Sequence, residues 1–94
     1  MTKAIWNQTI IAESDETILL EGNHYFPPNS VRQTYLKAAN TQGTCPWKGQ
    51  SDYLNIEVDG QVNLEAAWTY PNPSEAASQI KGYIAFGNGI QIEA

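Results

Sequence analysis

Apolar and polar residues alternate in short runs along most of this 94-residue chain, and a polar turn interrupts them about every 8–12 residues. The period of two is that of half-buried strands, because successive side chains leave a strand on opposite faces. Residues 3–6 read as a first strand, Asn7-Gln8 as a turn and Thr9–Glu13 as a second strand. Ser14-Asp15-Glu16 turns into Thr17–Glu21, which ends at Gly22-Asn23. His24-Tyr25-Phe26-Pro27-Pro28 is aromatic and extended, since a residue before proline avoids the helical region. One helical turn follows at 28–32, then a strand at Thr34–Lys37 and a polar loop from Ala38 to Gly43.

The second half carries the clearest pattern. In Ser51–Val58, Leu54, Ile56 and Val58 share one face, with Tyr53, Asn55 and Glu57 on the other. Asp59-Gly60 is a strong hairpin signal, and the chain returns through Gln61–Leu64. Ala66–Tyr70 is extended with Trp68 and Tyr70 on one face, so Tyr53, Trp68 and Tyr70 are expected to be neighbours. Pro71-Asn72-Pro73 stops it. Ser74-Glu75-Ala76-Ala77 starts a short helix to about residue 79, with Ser74 as cap. Strands at Gly82–Phe86 and Ile90–Ile92 flank the turn Gly87-Asn88-Gly89. Seven or eight short strands and at most two helical turns predict a single all-β, mainly antiparallel domain over residues 1–94, a sandwich or partly open barrel.

Composition narrows the function classes. Aromatics make up 11% and charged residues only 16%, which is globular and not disordered. A net charge of −5 argues against nucleic acid as a partner, because such binding rests on neutralising phosphates. No apolar run approaches the roughly 20 residues of a membrane helix. No signal-peptide pattern opens the chain, so a cytoplasmic location is expected. The charges are unevenly spread: Asp and Glu are absent between Gly22 and Ser51, where His24, Arg32, Lys37 and Lys48 lie. That segment either reflects chance or lines a face that prefers an anionic small molecule.

Candidate chemistry gathers at Thr44-Cys45-Pro46-Trp47-Lys48-Gly49, which reads as a shaped loop because Pro and Gly bracket it. Its single cysteine excludes an internal disulfide and a Cys-rich zinc site. Cys45 is either a small buried hydrophobe or a thiol activated by a nearby cation, the one candidate nucleophile. Lys48 either covers Trp47 with its stem or presents its ammonium to a ligand anion. His24 is either a hydrogen-bonded structural residue or an acid–base group at the rim. No ligand spacing for a metal, no phosphate loop and no nucleophile elbow is present, and no cofactor is expected.

The order of these segments resembles a known family. Lys3-Ala4-Ile5-Trp6-Asn7, Glu21–Pro28, Thr44–Gly49 with Tyr53, Ala66–Pro73 and Ile80–Phe86 together are similar to the bacterial domain of unknown function 427. The resemblance spans nearly the whole chain. It implies a β-tent, or Mss4-like, fold of two small antiparallel sheets meeting at an angle. Relatives of that fold hold zinc on paired Cys-x-x-Cys motifs, which are missing here, so no zinc role carries over. A nucleotidyltransferase label also attaches to the family. The sequence lacks the Gly-Ser loop and paired aspartates that such chemistry needs.

Three functions follow as expectations. The first is a small-molecule-binding module taking an anionic or aromatic ligand in a pocket between the sheets. It would be lined by Cys45, Trp47, Lys48, Tyr53, Trp68 and Tyr70, with His24 at the rim. The second is a Cys45-dependent enzyme. The third is a protein-interaction module that uses an edge strand or aromatic patch. The sequence leaves the oligomeric state open.

Overall fold

The computed structural model describes residues 1–94 and contains nine strands, all paired antiparallel. β1 (Thr2–Trp6), β2 (Thr9–Ser14) and β9 (Gln91–Glu93) form one sheet in the order β2-β1-β9. β5 (Leu36–Cys45), β6 (Gly49–Val58), β7 (Gln61–Thr69) and β8 (Ile84–Phe86) form a second in sequential order. β3 (Ile18–Leu20) and β4 (Asn23–Tyr25) make a hairpin. Just past β4, Phe26 exchanges both backbone hydrogen bonds with Ile84 of β8, at 2.8 and 2.9 Å. The hairpin thereby extends the second sheet beyond β8.

Three two-residue turns fix the hairpin registers. Asn7-Gln8, Glu21-Gly22 and Asp59-Gly60 all have positive φ at both central positions, the geometry whose twist matches paired strands. The second of these lies one residue earlier than Gly22-Asn23, where composition suggested it. Leu20 pairs with Asn23, so Glu21 itself takes the left-handed conformation at φ 53°.

Each sheet face follows from alternation. Ile56 and Val58 are buried and Leu54 packs beside them. They meet Ala4, Ile11 and Ala12 of the three-stranded sheet, with Phe26 and Phe86 edge-to-face at 5.5 Å between ring centres. A smaller cluster of Tyr25, Tyr70, Ala77, Ile80 and Ala85 packs separately. Trp68 of β7 packs against it.

The polar stretch from Ala38 to Gly43 is strand and not loop. The ladder of β5 with β6 skips between Ala38 and Gln42, and Asn40 there has φ 59°. A bulge of this kind absorbs extra residues without breaking the strand, and alternation alone cannot show it. Thr34–Lys37, expected as a strand, instead contains a 3₁₀ turn at Gln33–Tyr35, and β5 begins at Leu36. Further 3₁₀ turns lie at Pro28–Ser30 and Glu75–Ile80, the second where a short helix was expected. Ser74 does not cap it through its side chain. Its hydroxyl donates to the Trp47 carbonyl instead.

Candidate functional site

Cys45 ends β5 and pairs with Gly49, which begins β6, so Pro46-Trp47-Lys48 forms the tip of a hairpin. Gly49 has φ 107°, a conformation that L residues rarely adopt. The tip is fastened to the 71–74 loop, because the Ser74 N–H donates to the Lys48 carbonyl at 2.8 Å. The Lys48 side chain turns inward and the residue is only 6% exposed, while Trp47 stays on the surface.

The buried ammonium of Lys48 is bonded to Glu21, on the turn between β3 and β4. The indole N–H of Trp47 donates to the other oxygen of the same carboxylate at 3.2 Å. Lys48 Nζ also lies 5.0 Å from the Trp47 ring centre and 5.6 Å from that of Tyr70, where both ring faces attract a cation. Burial opposes the charge on Lys48. Burial is the largest single influence, and the Glu21 hydrogen bond overcomes it only together with nearby Tyr70, Tyr25 and Cys45, which leaves the pKa raised. The hydrogen bonds from Lys48 and then Trp47 hold the Glu21 carboxyl below its usual value.

Beside Lys48 a cleft of about 540 Å³ opens on the sheet face turned away from the main core. No residue of β1, β2 or β9 lines it. The space between the two sheets, where a pocket was expected, is filled by the packed apolar core. The aromatic wall is Tyr25, Tyr53, Trp68 and Tyr70. Tyr53 and Trp68 are cross-strand partners on β6 and β7, and the Trp68 indole donates to the Tyr25 hydroxyl at 3.2 Å. Gly43 leaves room for this wall: a Cβ there would lie 2.9 Å from Ser51 Oγ and 3.1 Å from the Tyr53 ring. Lys48, Ser51, Asn23 and Thr41 add polar groups, with Glu65 and Asn88 at the far rim. Asn88 is held there by donating to the carbonyls of Leu64 and Glu65.

Of the seven residues expected at the site, Lys48, Tyr53, Trp68 and Tyr70 come together on this cleft. Cys45, Trp47 and His24 do not line it. His24 lies on the β3–β4 hairpin, its Nδ1 3.1 Å from the Thr17 hydroxyl. Tyr25 was missed, although its parity with Asn23 on β4 puts both on the cleft side. Glu21 was missed too; its position as the last acid before the acid-free stretch was the available signal. The locally positive segment does not become a positive face. Arg32 and Lys37 are exposed elsewhere, and Lys48 is matched by Glu21.

These environments limit the chemistry. A lysine nucleophile needs a depressed pKa, and that of Lys48 is raised. Burial raises the pKa of Tyr70 more than the neighbouring ammonium lowers it, so the phenol stays a hydrogen-bond donor. Cys45 differs. The backbone amides of Lys48 and then Trp47 hold its thiol below the usual value, against a small opposing effect of burial. His, Cys, Asp and Glu side chains do not converge in groups of three that could hold a metal ion, and no helix is long and apolar enough to cross a membrane.

The whole chain, residues 1–94, matches the sequence profile of a family described as a domain of unknown function (DUF427). No curated protein matches it.

Proposed function

The chain belongs to the DUF427 family, and we propose that this member is a small-molecule-binding module whose cleft takes a planar aromatic ligand with polar substituents. One observation carries the reading: Tyr53 and Trp68, paired across β6 and β7, wall a single cleft with Tyr25 and Tyr70 beside a buried lysine. A concavity with an aromatic wall and polar side chains placed around it can stack a planar ring and hold its polar substituents. The raised pKa values of Lys48 and Tyr70 favour holding a ligand over reacting with it.

The test is native mass spectrometry of the purified chain, followed by a ligand-observed NMR screen of aromatic compounds. Retained or screened aromatic ligands are expected on the unaltered chain and absent on a folded Tyr53→Ala variant. Binding that survives Tyr53→Ala, or no aromatic binder at all, overturns the proposal.

A Cys45-dependent reaction is a second reading, favoured by the thiol's lowered pKa. It has less support because Cys45 lies outside the cleft wall. For the interaction module, the supporting feature is the exposed pair Val62 and Leu64 on β7.

A further inference from the structure

We propose that Lys48 Nζ and Trp47 Nε1 form a carboxylate-binding site at the mouth of the cleft, filled here by the chain's own Glu21. The cleft's ligand is then an aromatic carboxylate that takes Glu21's place. This inference rests on the aromatic-ligand reading above.

The two donors each meet one oxygen of a single carboxylate: Lys48 on Oε1 and Trp47 on Oε2. Their burial is unequal. The Lys48 side chain is 7% exposed and that of Glu21 is 48% exposed. The ammonium is thus built into the fold, whereas the carboxylate reaches it from an exposed two-residue turn. Glu21 is half exposed and sits on a turn, so its carboxylate can swing into water and give way to another. A buried ammonium left alone would be costly, so any exchange must bring another anion.

The site adjoins the aromatic wall. Lys48 lines the cleft, as does Asn23, two residues beyond Glu21. Tyr70, over which the ammonium sits, belongs to the same wall. A ligand carboxylate at the Glu21 position would therefore point its ring toward Tyr70 and the Tyr53–Trp68 pair. An intramolecular competitor acts as a high local concentration of rival carboxylate, in the millimolar range for short tethers. Removing it should strengthen binding of an acid and leave a neutral ring unaffected. A mere tie between two turns would give no such selectivity.

The experiment titrates isotope-labelled full-length chain with benzoate and with benzamide, which share a ring and differ in charge. Glu21→Gln is expected to bind benzoate at least about tenfold tighter than the unaltered chain, with a shift of the Trp47 indole N–H resonance and unchanged benzamide affinity. Adding Lys48→Met should abolish the gain. In the unaltered chain, benzoate but not benzamide should move the side-chain carboxyl resonance of Glu21, a readout that does not depend on how well any variant folds. If benzamide binds but benzoate gains nothing over it, or both change together, the carboxylate site is overturned and the aromatic cleft stands. If neither compound perturbs Tyr53 or Trp68 in any of these chains, the aromatic reading falls, and this one with it.

Discussion

The Trp68 indole N–H donates to the Tyr25 hydroxyl at 3.2 Å, joining residues 43 apart in sequence. The bond ties β7 to the β3–β4 hairpin and holds two rings of the cleft wall in place. It also occupies a lone pair of the Tyr25 oxygen, leaving the phenol proton to be donated elsewhere. Tyr25→Phe removes the acceptor and strands a half-buried donor, at a cost of about 1–2 kcal/mol. Urea unfolding should show a lower midpoint at an unchanged slope; an unchanged midpoint would mean the bond contributes nothing net.

The Glu21–Lys48 pair gives stability a defined pH window. The folded-state pKa of Glu21 lies below its ordinary 4.5, so its contribution is present above that value and fades as pH falls through the folded pKa. That of Lys48 lies above its ordinary 10.5, so its contribution is present below that value and fades as pH rises through the folded pKa. The stability gap between the unaltered chain and Glu21→Gln should be flat near neutrality and close at both extremes. Chemical denaturation across the pH range checks this, and a gap independent of pH would contradict it.

Cys45 should alkylate with a thiol pKa below the ordinary 9.0 in the folded chain, and at the ordinary value in urea. The turn amides of Lys48 and Trp47 are the main cause, ahead of the Lys48 charge. Lys48→Met should therefore leave most of the shift in place. Iodoacetamide rates against pH supply the measurement. A folded-state pKa equal to the unfolded one would remove the basis for a reactive thiol.

Phe26 is fully buried against Phe86 and also bridges the β3–β4 hairpin to β8. Phe26→Ala should cost about 3–5 kcal/mol, from lost transfer energy plus the cavity. A domain of this size has roughly 0.05–0.15 kcal/mol of stability per residue, so much of its stability would go. Thermal unfolding followed by circular dichroism measures the loss, and a cost below about 1 kcal/mol would contradict the core assignment.

Gly43→Ala should act on the cleft more than on the fold. The new methyl would meet Ser51 Oγ at 2.9 Å and the Tyr53 ring at 3.1 Å, and both are side-chain atoms that can move. NMR shifts confined to Tyr53, Trp68 and Ser51 are expected, with weaker binding of any aromatic ligand. Unaltered Tyr53 resonances would show that the ring is not held by this contact.

Alternation along Ser51–Val58 was enough to assign the core face and to put Tyr53 on the opposite one, because a strand's period of two leaves no other choice. The same parity put Trp68 on Tyr53's face, but their direct pairing depends on the bulge in β7, because the Asp59-Gly60 turn alone would set Tyr53 opposite Ala66. Short-range rules could not reach the bulges in β5 and β7. The one in β7 is held by Asn55, whose side chain accepts the Glu65 N–H at 2.8 Å across the ladder. Without the bulges Thr41 reads as loop, and Glu65 as the break between two extended segments.

The sequence by itself determined the all-β class, the antiparallel hairpins and three aromatic members of the cleft wall, Tyr53, Trp68 and Tyr70, since these follow from local alternation and turn chemistry. Tertiary structure alone decided that the cleft lies on the outer face of one sheet, that Tyr25 joins it, and that Cys45 and Trp47 stand outside. It also turned Lys48 inward onto Glu21. The physical reason is that a buried charge takes whatever partner the fold brings near, and Glu21 lies 27 residues away on a different hairpin.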